Sequence, residues 1–145
     1  MPSDLFDLTG KRALVTGGSR GLGKAMARGF AESGADVMIC SRNEKELLAA
    51  AQEIGEGLES GVYFRVADMN SRESTDALAD AALETFGTVD ILVNNAGINS
   101  PQPIDEVDDE VWDRVVEVNL TSIMRLTRRL VPKMKEQQWG KVGHR

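Results

Sequence analysis

Histidine, cysteine and tyrosine occur once each in this 145-residue chain, as His144, Cys40 and Tyr63. A single cysteine excludes an intrachain disulfide and fits a reducing compartment, so a cytoplasmic location is expected. One histidine and one cysteine do not make an N/S metal cage, and no metal site is expected. Basic charge is also short. Lys and Arg number 17 against 23 Asp and Glu, a net charge of −6. Such a chain has no broad surface for displacing counterions from a polyanion, so neither nucleic acid nor a membrane is expected as a partner. No apolar run approaches the roughly 18–20 residues of a membrane span. Residues 1–10 lack the apolar core of a secretory leader.

What is present suits one soluble globular unit. Apolar residues make up 41% and charged residues 28%, as in ordinary domains. The length allows at most one such domain, over residues 1–145. No repeat or low-complexity linker divides it.

Strand-like and helix-like stretches alternate along the chain. Arg12 opens an apolar run to Val15, fit for a strand covered on both faces. Thr16-Gly17-Gly18-Ser19-Arg20-Gly21-Leu22-Gly23 follows, and a helix runs on to about Ser33. Leu22, Ala25, Met26, Gly29, Phe30 and Ser33 are expected on its buried face, with Gly34 as its stop. Val37 to Cys40 reads as the second strand. Asn43-Glu44-Lys45-Glu46 outlines a capping box for a helix through Leu47, Leu48, Ala51 and Ile54. Val62 to Val66 is the third strand. Asn70-Ser71-Arg72-Glu73 outlines a second box, with Asn70 as cap and Gly87 as the stop of its helix. Ile91 to Val93 is the fourth strand.

From Asp109 to about Gln138 the pattern is helical again. Trp112, Val115, Val116 and Asn119 share one face, and Leu120, Ile123, Met124, Thr127, Leu130, Val131 and Met134 continue a stripe. Pro132 predicts a kink or break inside it. This alternation implies an α/β fold with a doubly wound parallel sheet and right-handed crossovers. Ligands in such sheets sit beyond the carboxyl ends of the strands. The glycine turn, Cys40–Asn43, Asp68 and Asn94–Gly97 all follow strands at that edge, so four segments converge on one crevice.

The glycine turn joins a strand to a helix, and a helix N-terminus presents free N–H groups and a positive dipole end. It is a seat for phosphate. Three readings stand. The first is a plain structural turn. The second is a nucleoside triphosphate loop, because Gly18 to Lys24 matches G-x-x-x-x-G-K. Against it, Ala25 stands where that loop needs Ser or Thr for Mg²⁺. The third is a dinucleotide, with Gly17, Gly21 and Gly23 spaced G-x-x-x-G-x-G instead of G-x-G-x-x-G.

At this point the chain resembles the short-chain dehydrogenase/reductase family, from about Leu5 to Lys141. Thr16, Gly17, Gly21 and Gly23 match its glycine motif. Asn94-Asn95-Ala96-Gly97 matches its N-N-A-G motif, Asp68 its Asp after the third strand, and Asn119 its helix Asn. The resemblance implies a Rossmann-type fold and a dinucleotide cofactor. It implies that Gly17, Ser19, Gly21, Leu22 and Gly23 surround the pyrophosphate. Asp68 would accept from the adenine amino group with Met69 packing nearby. Asn94 and Asn95 would brace the sheet edge, and Asn95, Ala96 and Gly97 would flank the ribose-nicotinamide. Asn119 would hold a water in a proton relay. The lead-in Phe6 to Lys11 and the Asn119 region are similar to the family's 3-oxoacyl-carrier reductases and gluconate 5-dehydrogenases.

An NAD site carries an acid at the end of the second strand, on the ribose 2′-OH. Here Cys40-Ser41-Arg42-Asn43 places no acid before Glu44. An Arg attracts a 2′-phosphate and binds it with two hydrogen bonds. Ser41 and Arg42, with Arg20 from the glycine turn, therefore favour NADP(H), with NAD(H) as the alternative. The implied reaction interconverts a small-molecule alcohol and a carbonyl.

The family's Tyr-x-x-x-Lys and Ser are missing. Tyr63 lies within the third strand with Ala67 four residues on. Gly143-His144-Arg145 stands where a fifth apolar strand is due, so the chain looks truncated after about four strands, as a partial domain. On that reading it is a dinucleotide-binding fragment without catalysis. Ile91–Val93 would be an exposed sheet edge open to self-association. His144 has no supporting carboxylate pattern to make it a base.

Overall fold

The computed structural model describes residues 4–145. Five parallel strands form one sheet: β1 (Arg12–Thr16), β2 (Asp36–Ser41), β3 (Val62–Val66), β4 (Ile91–Asn94) and β5 (Lys141–His144), in the order β3-β2-β1-β4-β5. Helices α1 (Gly21–Glu32) and α2 (Glu44–Gly55) cover one face. Helices α3 (Arg72–Phe86) and α5 (Ser122–Glu136) cover the other, and α4 (Asp109–Val116) runs into α5 through a π-helical turn, Glu117–Thr121. Side-chain alternation divides the strands between two cores. Leu14, Met38 and Leu92 pack under α3 and α5, whereas Ala13, Val15, Val37, Ile39, Ile91 and Val93 pack under α1 and α2. Each fully buried Leu or Ile contributes about 1.5–3 kcal/mol.

The fully buried face of α1 is Gly23, Ala27 and Ala31, out of phase with the expected stripe, of which Met26 and Phe30 pack partly against the same core while Ala25 and Gly29 are exposed. Small side chains let the helix axis approach the sheet closely, and Leu22, 58% exposed, is left to face the crevice. Asn43 caps α2 as expected, its Oδ1 accepting from Glu46 N–H at 3.0 Å. The cap of α3 is one residue later than expected. Ser71 Oγ accepts from Ser74 N–H at 3.1 Å, while Asn70 gives its N–H to Asp68 Oδ1 at 2.9 Å. Helix α5 passes through Pro132 unbroken. The irregularity is the π turn, whose extra residue shifts the helical phase. Leu130 and Met134 are buried as expected, but Leu120 and Met124 are exposed.

Three ion-pair rungs bind α3 to the α4–α5 run. Arg72 Nε lies 2.8 Å from Glu117, Arg125 Nη2 2.6 Å from Asp76, and Arg129 Nε 2.9 Å from Asp80. The Arg125 guanidinium hydrogen-bonds Asp76 and holds its carboxyl below the usual range.

A fifth strand is present, which corrects both the four-strand count and the expectation that β4 forms the sheet edge. Ile91, Leu92, Val93 and Asn94 of β4 pair with Lys141, Val142, Gly143 and His144. A parallel ladder needs only backbone groups, so it forms despite the weak apolar pattern. Buried Asp90 sets its register. Arg12 N–H donates to Asp90 Oδ2 at 2.8 Å, Gln137 Nε2 to Oδ1 at 2.7 Å, and Lys141 N–H to the Asp90 carbonyl at 2.9 Å. Lys11 Nζ sits 4.0 Å over the Trp139 ring and closes the same corner. The sheet edges are β3 and β5. Asp90→Ala removes a charged acceptor shared by two donors and should cost about 2 kcal/mol, read as a lower denaturant midpoint. An unchanged midpoint would show that Asp90 does not organise this corner.

Candidate functional site

The chain fills β2 and β3 on one side of β1 and then returns to place β4 on the other. The strand order reverses between β1 and β4, and the carboxyl ends there diverge around a crevice. The Thr16 hydroxyl ties these ends together. Its Oγ1 accepts from Asn95 N–H at 3.0 Å and from Ala96 N–H at 2.9 Å. In return, Asn95 Nδ2 donates to the Thr16 and Gly17 carbonyls, each at 3.1 Å. Asn95 thus braces the sheet edge. Asn94 does not do so through its side chain, because both of its buried amide atoms lack a partner.

Gly23 is required by this junction: a Cβ there would collide with the Gly17 carbonyl and lie 2.5 Å from Asn95 Nδ2. Gly21 is required for a different reason. Its φ of +59° is left-handed backbone, and nothing lies within 4 Å of where a Cβ would stand. The turn is therefore open toward the crevice. The first turn of α1 holds no acidic side chain, and Arg20 caps none of its N–H groups. A helix start with free donors and no carboxylate accepts an anion.

The crevice encloses about 1050 Å³. Gly17, Ser19, Arg20, Gly21 and Leu22 line one end. Ser41 and Arg42 line it beyond β2, Asp68 and Met69 beyond β3, and Asn95, Ala96 and Gly97 beyond β4. Gly23 stands behind the wall, in the packing of the turn. Met69 and Val118 are buried in one apolar cluster and form part of the floor. Asp68 is held by two bonds: its N–H donates to Ser74 Oγ at 2.8 Å and its Oδ1 accepts from Asn70. The dimensions and donors fit a dinucleotide stretched across the edge.

Asn119 lies beside the crevice, not in its lining. Its Oδ1 accepts from Ile98 N–H and its Nδ2 donates to the Ile98 carbonyl, both at 2.8 Å. Both amide groups are spent on the loop after β4. Cys40 lines the wall, but burial pushes its thiol up to about 12, so it stays protonated and is not a nucleophile. Tyr63 is far along the sheet on β3, edge-on to Phe86 with ring centroids 5.5 Å apart. His144 ends β5, exposed, opposite Asn94.

Sequence reasoning missed several lining groups. Glu46 sits in the first turn of α2, whereas Ile98 and Asn99, which also line the crevice, open the loop 98–103 that the sequence does offer as a substrate contact. Val118 adjoins Asn119, and Arg114 lies one turn before Val118 on the same side of the helix, a spacing that could have flagged it. Arg145 also reaches the crevice, with Nη1 3.5 Å from Asn95 Oδ1.

A glycine turn, a helix N-terminus and an open edge at a strand-order reversal define a dinucleotide-binding α/β protein. The chain belongs to the short chain dehydrogenase family, whose profile matches residues 11–142. It is 40% identical over 136 residues to 3beta-hydroxysteroid dehydrogenase 2 of Eggerthella lenta, covering 93% of this chain and 52% of that protein. It is 36% identical over 135 residues to a 3-oxoacyl-[acyl-carrier-protein] reductase of Chlamydia muridarum, covering 93% and 54%. Among solved structures, L-sorbose reductase of Gluconobacter frateurii, complexed with NADPH and L-sorbose, superposes with a TM-score of 0.92 at 37% identity, over 96% of this chain and 53% of that one. The chain spans about half the length of these relatives. No helix among the described residues is long and apolar enough to cross a membrane.

Thr16→Val keeps the shape of the side chain, leaves the Ala96 N–H without its acceptor and leaves the Asn95 N–H only the Val93 carbonyl at 3.1 Å. It should lower unfolding stability by about 1–3 kcal/mol, while Thr16→Ser stays close to the unaltered chain. Equal stability of the Val and Ser variants would remove this junction from the account.

Proposed function

We propose that this chain is the NADP(H)-binding part of an oxidoreductase that interconverts a small-molecule alcohol and carbonyl. The observation that carries the reading is the wall beyond β2. Ser41 and Arg42 line the crevice there, and no carboxylate occupies the position that would grip a ribose 2′-OH. Glu46 lines the same region one helical turn further on and forms no ion pair with Arg42 among the described residues. Arg20 faces the same space from the glycine turn. An Arg fork suits a phosphate dianion, and an Asp at this place would repel it. The NADPH bound by L-sorbose reductase supports the choice by similarity.

When bound, the cofactor supplies or accepts the hydride. The chain's own residues bind and orient. The α1 N-terminus and the glycine turn take the pyrophosphate, and Asp68 and Met69 take the adenine end. Asn95, Ala96 and Gly97 flank the nicotinamide end. Asn119 contributes by fixing Ile98, hence the loop beside the reacting ring. By itself the 145-residue chain binds cofactor without turnover, because Tyr63 is on β3 and no other tyrosine exists. A cytoplasmic setting with a reduced Cys40 belongs to the same reading. So does self-association, through the free edge of β5 in place of β4.

Two measurements test this. Fluorescence titration of the chain should give tighter binding of NADPH than NADH, and Arg42→Ala should weaken NADPH by about tenfold or more, as for a lost charge-assisted pair, with NADH little changed. Tighter NADH binding would reverse the cofactor assignment. NADPH oxidation against a panel of ketones should show no turnover. Turnover that Asn119→Ala abolishes would overturn the non-catalytic reading.

A further inference from the structure

Arg114 is a cation that the cofactor reading leaves without a task. It sits on α4, exposed, and enters none of the ion pairs among the described residues. Of the acids one turn away on either side, Glu117 is taken by Arg72 at 2.8 Å, and Glu110, though it lines the same adjoining cavity, forms no ion pair with Arg114 among the described residues. Arg114 and Asn70 alone line both the cofactor crevice and an adjoining cavity of about 690 Å³. They therefore mark the rim between the two, at the adenine end. One turn inward on the same helix side, Val118 forms the apolar floor with Met69. Asp68 lines the same crevice, with Oδ1 occupied by Asn70 N–H and its other oxygen free of any side-chain or backbone donor among the described residues.

We propose that Arg114 is an adenine-binding residue, whose guanidinium covers the outer face of the base while Met69 and Val118 carry the inner face. The inference rests on the NADP(H) reading of the crevice. The chemistry is that of a planar, weakly hydrated cation on an electron-rich ring. A flat apolar floor and a free carboxylate oxygen position the base edge-on to Asp68. That leaves one face of the ring toward solvent, where Arg114 projects from the rim. Arg42 and Arg114 then divide the work. Arg42 reads the 2′-phosphate, and Arg114 holds the base that NADPH and NADH share.

That division gives the test. Binding of NADPH, NADH and reduced nicotinamide mononucleotide, which lacks the adenosine half, is measured by fluorescence titration on the full chain and on Arg114→Ala. Arg114→Ala should weaken NADPH and NADH alike, by about three- to fivefold, as for an exposed cation–π contact. It should leave the mononucleotide and the denaturant midpoint unchanged. Arg114→Lys should recover little of the loss, since an ammonium does not stack as a plane. A loss confined to NADPH would make Arg114 a phosphate ligand and overturn the proposal. So would unchanged binding of both dinucleotides. If the unaltered chain binds neither dinucleotide, the NADP(H) reading fails first and this inference fails with it.

Discussion

The bond set between Thr16 and Asn95 is the constraint on which the rest of the site depends. One hydroxyl holds two backbone N–H groups of the loop after β4, and one amide returns two bonds to the backbone at the end of β1. Buried polar groups without partners cost more than paired ones return, so this closed set tolerates little rearrangement. It fixes the distance between two strand ends at the point where the sheet reverses its order. The glycine turn and the Asn95–Gly97 loop are thereby set as two walls of one crevice. Gly23 belongs to this constraint as well, since its missing side chain is what lets the turn close against Gly17 and Asn95.

Much of this was legible in the sequence because it is written in local chemistry. Glycine spacing, N-N-A-G and the Asn43 cap each specify backbone geometry within a few residues, and the structure has them where expected, except that the Asn43 N–H goes to Ser41 Oγ and not to the Glu46 side chain. What was not legible depends on phase and on distant partners. The buried face of α1 differs from the expected one in phase, because Leu22, Met26 and Phe30 set the pattern, whereas Gly23, Ala27 and Ala31 are small enough to lie directly against the sheet. The phase of the long helix was lost at the π turn, since one extra residue in 117–121 rotates everything after it. Strand β5 was missed because its register comes from Asp90, more than forty residues earlier in the chain. Ser71 is the cap because the helix starts at Arg72 with Ser71 in extended backbone, which leaves Asn70 one residue outside, a one-residue boundary that pattern alone does not set.

The cofactor end of the crevice shows how charge is distributed in an acidic protein. With a net charge of −6, the cations are placed and not merely abundant. Arg28 is turned onto the closing carbonyls of α2, bonding Ile54 O at 3.0 Å and Glu56 O at 2.8 Å. Arg72, Arg125 and Arg129 are spent between helices. Arg20, Arg42 and Arg114 are the ones turned toward the crevice, together with Arg145. A local positive field in a globally negative molecule draws in a polyphosphate without making the whole surface sticky to polyanions.

The rungs between α3 and the α4–α5 run have a sign order: plus, minus, minus on Arg72, Asp76 and Asp80, against minus, plus, plus on Glu117, Arg125 and Arg129. Their spacing is uneven: Arg72, Asp76 and Asp80 stand four residues apart, whereas Glu117 and Arg125 stand eight apart across the π turn and Arg125 and Arg129 four. A slide by one turn would still set Asp76 against a cation, since Arg129 is already 3.7 Å from it, so the two rungs on α5 do not by themselves fix the register. Exposed rungs also add little to stability. Their placement matters more. One rung clamps the first residue of the π turn and two clamp the helix beyond it, so α3 acts as a splint across the irregularity, and Asn119 is held opposite Ile98.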